Sequence, residues 1–124
     1  MEDTVKPQER RGSIRLKMMY PAVYTRFDNQ GRACDQRMSR SMDMSQGGVR
    51  LHSGFSVDSG EALDISMALK EDLVSFKGKV VYVKSTEKED YEFGICIEDI
   101  GDEDRITLTR FLEGFGGSGK REDP

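Results

Sequence analysis

The sequence predicts a mainly β domain: about six short strands in an antiparallel barrel or sandwich, followed by one C-terminal amphipathic helix. Three observations carry that expectation. Residues 62–69 place Leu63, Ile65, Met67 and Leu69 on one side, with Asp64, Ser66 and Lys70 opposite, which is the two-residue period of a half-buried strand. Turn-forming clusters at residues 28–31, 47–48, 54–60 and 86–90 divide the chain into strand-length pieces with no helical pattern between them. Past residue 101 the apolar spacing changes to that of a helix, with Leu108, Phe111, Leu112 and Phe115 on one stripe.

Taken in order, residues 1–9 hold Pro7 and mixed charge without periodicity, and read as a flexible leader to a single domain over residues 10–115. Residues 14–25 alternate roughly and contain Tyr20, Val23, Tyr24 and Thr25, all suited to a strand; Pro21 inside that run suggests an edge position or a bulge. Asp28-Asn29-Gln30-Gly31 is a turn, and residues 33–44 return antiparallel. Gly47 and Gly48 break that strand before a short third one at residues 49–53. Residues 73–84 include Val80-Val81-Tyr82-Val83, which is apolar on both faces and expected to be covered on both. Residues 91–97 send Tyr91, Phe93, Ile95 and Ile97 to one side. Asp102 and Asp104 sit where a helix N-terminus favours negative charge. Gly114, Gly116 and Gly117 end the helix, and residues 116–124 read as a flexible tail.

A chain of 124 residues, 35% hydrophobic and 34% charged, suits one domain with one modest core. No apolar run approaches the roughly 20 residues of a membrane helix, and the first eight residues lack the apolar core of a secretory signal. Cys34 and Cys96 have neither metal nor redox spacing and read as two free thiols of a reducing compartment, so a cytoplasmic location without membrane insertion is expected. The net charge of −4 conceals an asymmetry of +4 over residues 1–50 and −8 over the remainder. Eight of the ten basic residues in the first part are Arg, the planar forked donor suited to phosphates and guanine edges. That bias suits a small anionic ligand. A long nucleic acid needs a broad basic surface, which a chain of pI near 5.1 does not offer.

Two short patterns stand out. Arg11-Gly12-Ser13-Ile14-Arg15 reads RxxxR and is preceded by Arg10, while Asp43-Met44-Ser45-Gln46-Gly47-Gly48 reads DxSxxG. Alone, neither is specific: about one chance RxxxR is expected in a chain with this much arginine. Taken in this order, with this spacing and in a β-rich context, the pair resembles the PilZ family, whose likeness extends from about Arg10 to Phe115. Phe93-Gly94-Ile95 also resembles the glycine-bearing strand near that family's C-terminus. The resemblance implies a six-stranded antiparallel PilZ-type β-barrel with a C-terminal helix, a receptor for cyclic di-GMP rather than an enzyme, and no cofactor or metal beyond that ligand. It implies binding through Arg10, Arg11, Arg15, Asp43, Ser45, Gly47 and Gly48.

The chemistry of those residues is coherent with such a ligand. An Arg fork pairs with guanine O6 and N7, a contact worth roughly 1–3 kcal/mol of discrimination, and also pairs with phosphate or stacks on a purine. A carboxylate at Asp43 can accept from guanine N1–H and N2–H₂, and Ser45, two residues on, is expected on the same face of a strand. Gly12 favours a loop around the arginines, and Gly47-Gly48 would allow a sharp turn and close ligand approach. A strand out and a strand back would return the second motif to the first. Arg40, Arg50 and His52 lie near enough in sequence to touch a ligand, although a surface role suits His52. Met18, Met19, Met42 and Met44 are expected in the core or along the apolar rim of the site.

Other readings stay open. The arginines are also compatible with a solvated leader, and Asp43, Ser45 and the glycines with an ordinary turn. Catalysis is disfavoured because the chain has no nucleophile elbow, P-loop or metal-ligand spacing. A barrel binding single-stranded nucleic acid would need aromatics on a basic groove. A PilZ-like module acting only through protein contacts keeps the fold and loses the ligand. The expected partners are cyclic di-GMP and a downstream protein, with the chain a monomer or weak homodimer.

Overall fold

The computed structural model describes residues 19–114. The segment carrying Arg10, Arg11 and Arg15, and the tail from residue 115, with Phe115, Gly116 and Gly117, lie outside the described residues. Within them are six strands and one helix: β1 (Pro21–Phe27), β2 (Ala33–Met44), β3 (Gly48–Ser53), β4 (Ala62–Leu69), β5 (Asp72–Ser85), β6 (Tyr91–Asp99) and α1 (Asp102–Leu112).

The strands close into an antiparallel barrel in the order β1-β2-β3-β6-β5-β4, with β4 returning to pair β1 through Tyr24 and Ile65. Closure pairs every strand on both sides, so the six strands leave no open sheet edge. That decides the position of Pro21. It is neither at a sheet edge nor in a bulge, but is the first residue of β1, opposite Arg40, where its missing N–H is tolerated.

Two-residue alternation fills the interior. Leu63, Ile65, Met67 and Leu69 of β4 are each 1% exposed, the inward row that their spacing predicts. Tyr24 and Phe93, both fully buried, meet edge to face at 5.6 Å. Each large apolar side chain buried in this way contributes about 1.5–3 kcal/mol relative to exposure. The β1–β2 turn closes through Asp28, whose Oδ1 accepts the N–H groups of Gln30 and Arg32, while Gly31 adopts φ +79°. Those two backbone donors hold the Asp28 carboxyl below its ordinary range. The crossing loop from β3 to β4 buries Val57 and is pinned to β1 by the Arg26–Glu61 fork at 2.6 and 2.9 Å.

The run Val80–Val83 departs from expectation. The register slips between Val80 and Tyr82, making Val81 an extra residue. Val80 stays in the core at 1% exposure, while Val81 and Tyr82 are 56% and 37% exposed, so the second face is not covered. Helix α1 docks by Leu108 and Leu112, with Phe111 packed edge-on against Tyr20 at 5.4 Å. Asp102, Glu103 and Asp104 occupy its first turn, and the α-helix runs to Leu112, with Glu113 and Gly114 continuing in a π turn. Among the described residues, no helix is long and apolar enough to cross a membrane. Cys34 and Cys96 are exposed free thiols.

Candidate functional site

The second motif occupies the end of β2 and the turn into β3. A bulge between Ser41 and Asp43 sets its geometry: Ser41 pairs with Leu51 and Asp43 pairs with Arg50, leaving Met42 as the extra residue. Arg50 lies between the inward-facing Val49 and Leu51, so its partner Asp43 is turned to the outer face, while Met44 re-enters the core. Sequence spacing put Asp43 and Ser45 on one strand face. In the structure β2 ends at Met44, and Ser45 is instead the first residue of the turn. The Ser45 N–H donates to the Gly48 carbonyl at 2.8 Å, and the Ser45 hydroxyl accepts the Gly47 N–H at 3.4 Å.

The two glycines have different reasons for being glycine. A Cβ on Gly48 would lie 2.4 Å from the Ile95 carbonyl oxygen, so β6 can approach β3 here only without a side chain. At Gly47 a Cβ would meet nothing within 4 Å, and packing does not demand glycine. The Gly47 carbonyl accepts the Ile97 N–H at 2.9 Å.

Around Asp43 lies a polar network on the outer face. Arg50 Nη2 donates to Asp43 Oδ2 at 2.6 Å, and Arg50 Nη1 donates to Glu92 Oε2 at 3.3 Å. Tyr82 completes it, its hydroxyl donating to Glu92 Oε2 at 2.6 Å. The Val81 bulge brings Tyr82 opposite Gly94, and a Cβ there would fall 2.2 Å from the ring. Gly94 is thus the shelf on which Tyr82 lies. Burial pushes the Glu92 carboxyl up, but the Tyr82 hydroxyl and the Arg50 charge outweigh it and hold the group below its ordinary range. Burial and the bond to Glu92 raise Tyr82. Among the described residues, Arg50 Nε is buried without a hydrogen-bond partner. The two Nη groups of Arg50 bridge the carboxylates of Asp43 and Glu92. Tyr82 and Glu92 were not singled out from sequence, and only the cross-strand register to Gly94 could have found them.

Beside this network a cavity of about 450 Å³ opens between Met19, Arg40, Met42, His52 and the β5–β6 turn at Thr86, Glu87 and Lys88. Met19 and Met42 form an apolar wall, as expected of a rim, whereas Met44 belongs to the core. Met18 lies outside the described residues. On the polar side, Arg40 Nη2 and His52 Nδ1 are 3.3 Å apart, and His52 Nε2 is 3.0 Å from Asp90. The hydrogen bond from the Thr86 hydroxyl, with a lesser contribution from the neighbouring His52 ring, keeps Asp90 below its ordinary range. Among the described residues, no group of three or more His, Cys, Asp or Glu side chains converges to hold a metal ion.

The N-terminal segment joins the barrel at this cavity. Tyr20 is zipped to Ser41, its N–H donating to the Ser41 hydroxyl at 3.0 Å and its carbonyl accepting the Ser41 N–H at 2.8 Å. Ser41 precedes Asp43 by two residues, so the described chain begins beside the second motif, while the first motif lies outside the described residues. Of the expected site residues, the structure brings Asp43, Ser45, Gly47 and Gly48 together at one end of the barrel. Arg10, Arg11 and Arg15 lie outside the described residues.

No curated protein matches the chain in sequence. Among solved structures it is similar to the Bacillus subtilis inhibitor of motility MotI/DgrA, with a TM-score of 0.73, 17% identity, and 96% of this chain against 59% of that one. It is similar to the PilZ domain of YcgR from Escherichia coli, solved with c-di-GMP, at TM-score 0.64 and 13% identity over 91% of this chain and 95% of that one. It also resembles MrkH of K. pneumonia in its c-di-GMP complex, at TM-score 0.70 and 16% identity over 92% of this chain. The match spans 59% of MotI/DgrA and 55% of MrkH, so both are longer proteins than the part shared here. At such identities these likenesses speak for the fold, but the PilZ domain model matches the sequence itself over residues 9–114, and the chain belongs to the PilZ domain family.

Proposed function

We propose that this protein is a receptor for cyclic di-GMP that relays occupancy of its site to a protein partner in the cytoplasm. The observation that carries this reading is the junction at Ser41: the chain that follows the RxxxR motif joins the barrel there through Tyr20, two residues before Asp43, with an open cavity between Met19, Arg40, Met42 and the β5–β6 turn. Arg15 precedes Tyr20 by five residues, so its Cα lies within about 18 Å of that junction even when the chain is fully extended. An Arg side chain adds enough reach to meet a dinucleotide over Asp43. Solved c-di-GMP complexes of the similar YcgR and MrkH proteins support the same ligand.

In this mechanism Arg10, Arg11 and Arg15 close on the phosphates and guanines of the ligand, while Asp43, Ser45, Gly47 and Gly48 hold it from the barrel side. Asp43 is suited to guanine N1–H and N2–H₂, and Arg50, itself anchored by Glu92, holds its carboxylate in place. Gly47 offers open surface for close approach. Ordering of the arginine segment changes the surface beside the cavity, and a partner that distinguishes the two states reads the signal.

Titration calorimetry with cyclic di-GMP, with GTP and cyclic GMP as controls, tests the receptor reading. Saturable heat with cyclic di-GMP alone, reduced at least tenfold in affinity by Arg15→Ala through loss of a forked contact, is expected. Absence of binding at high ligand concentration would remove the function and leave the fold. Amide exchange in residues 8–16 that is unchanged by saturating ligand would exclude the clamp.

A further inference from the structure

Gln46, one of the three unspecified positions of the DxSxxG motif, is tied to helix α1. Gln46 accepts Arg105 Nη1 at two oxygens, the backbone carbonyl at 2.7 Å and the side-chain Oε1 at 2.9 Å. Its Nε2 lies 3.0 Å from the Thr109 hydroxyl, which is itself 3.3 Å from Oε1. Arg105 and Thr109 are one turn apart on α1, so the helix presents a two-pronged clasp to one residue of the turn. Among the described residues no carboxylate lies within ion-pair distance of Arg105, and its Nη1 donates twice to Gln46. The next turn of the same helix touches the other motif-bearing segment, with Phe111 packing on Tyr20, which is bonded to Ser41.

We propose that Gln46, Arg105 and Thr109 are positioning residues for the ligand site, and that through them α1 docks more firmly when the nucleotide is bound. This rests on the receptor reading above. Helix α1 has 11 residues, two fully buried side chains and an N-cap glycine with no side-chain cap. A helix that short is marginal by itself, so its docking depends on the contacts it makes with the barrel. Two of those contacts, at Gln46 and Tyr20, belong to the segments that a bound nucleotide would order. Whatever fixes them favours the docked helix, and by linkage the docked helix favours the ligand by the same factor. Ile106, 53% exposed on the outer side of α1, moves with the helix, and the helix surface thereby reports occupancy.

The test combines calorimetry with amide exchange on the full chain, free and saturated with cyclic di-GMP. Ligand should slow exchange of the α1 amides at residues 106–112 by roughly fivefold or more, within the range of ordinary allosteric couplings. Gln46→Ala and Arg105→Ala should each weaken binding by a similar factor and abolish that slowing. The double variant should bind no worse than the weaker single one, since both remove the same clasp. Thr109→Ser, which keeps the hydroxyl, should behave as the wild type. If Arg105→Ala lowered the melting temperature yet left both affinity and ligand-induced protection unchanged, the helix would be a structural brace only and the proposal would fail. Should the wild-type chain not bind the nucleotide, the receptor reading falls. The clasp is then read in the free protein, where Arg105→Ala should speed exchange at the Ser45 and Gly47 amides by about tenfold. Unchanged exchange there would overturn it.

Discussion

The interior of the barrel and its outer face at β2, β3 and β6 are built from the same strands by different rules. Inside, Leu51, Leu63, Ile65 and Phe93 are placed by strict alternation, and any residue of similar size and polarity would serve. Outside, Asp43 and Tyr82 are placed by interruptions of that alternation, the bulges at Met42 and Val81. Each bulge adds one residue, which re-aims a polar side chain toward Arg50 and Glu92 without disturbing the apolar row behind it. The regular part supplies stability, and the irregular part supplies a fixed arrangement of charge.

The adjoining glycines of the motif test that division with the largest effect. Gly48→Ala drives a Cβ against the Ile95 carbonyl, a backbone atom that can move only if β3 and β6 separate. A loss of about 2–4 kcal/mol is expected in urea unfolding, or failure to fold. Gly47→Ala meets open space and should stay within about 0.5 kcal/mol of the wild type, while reducing cyclic di-GMP affinity if the ligand approaches there. Equal losses from the two would mean that the turn, rather than the approach of β6, sets the requirement.

Arg50→Ala comes next. It strips both Asp43 and Glu92 of their shared partner while their side chains are only 4% and 11% exposed. Breaking a fully buried pair costs about 3–5 kcal/mol, but Arg50 itself is a third exposed, so about 1–2 kcal/mol is expected here. Ligand affinity should fall further than stability does, because Asp43 loses its orientation. An unchanged affinity would remove Arg50 from the support of the site.

How much of this was legible in the sequence follows from the same division. Alternation in residues 62–69 and 91–97 and the spacing of Leu108, Phe111 and Leu112 gave the barrel and its helix, because period depends on local pattern alone. Asp43, Ser45, Gly47 and Gly48 stood out as candidates through their motif, but the ion pairs of Arg50 and the close approach of β6 to Gly48 did not. Arg50 stood out only for its nearness to the motif, because sequence does not show that Glu92 lies within its reach on β6. From sequence, Gly48 had the role of a turn with room for close ligand approach, and the additional requirement set by the β6 backbone has no local pattern. The bulge at Val81 leaves no trace in a run of four apolar residues, so Tyr82 was assigned to a covered face. Gln46 meets Arg105 and Thr109 across about 60 residues of chain, where no local pattern reaches.

Acid should expose the outer network before the interior. Glu92 is held below its ordinary 4.5 in the folded state, so its stabilising contribution is complete above the unfolded value and is lost as pH falls through the folded one. Glu61, drawn the same way by Arg26 against its own burial, adds to the same limb from the crossing loop. Urea midpoints measured from pH 6 down to pH 3 should therefore decline. Glu92→Gln should flatten part of that decline and leave the part due to Glu61. An acid limb identical to the wild type would show that Glu92 loses no interaction on protonation.

The smallest effect separates the two jobs of Tyr82. Tyr82→Phe removes the bond to Glu92 Oε2 but keeps the ring on Gly94, and should cost about 0.5–1.5 kcal/mol, the net value of one hydrogen bond. Gly94→Ala does the reverse, pushing the ring off its shelf. The atoms displaced belong to a half-exposed ring, so the ring can move aside, but the hydroxyl is carried away from Glu92 and stability should fall by about as much as in Tyr82→Phe, about 0.5–1.5 kcal/mol. The two variants should then shift ligand affinity alike if the hydroxyl matters through Glu92 and Arg50. If Gly94→Ala alone weakens binding, the ring itself forms part of the binding surface, and the outer face recognises its ligand by area as well as by charge.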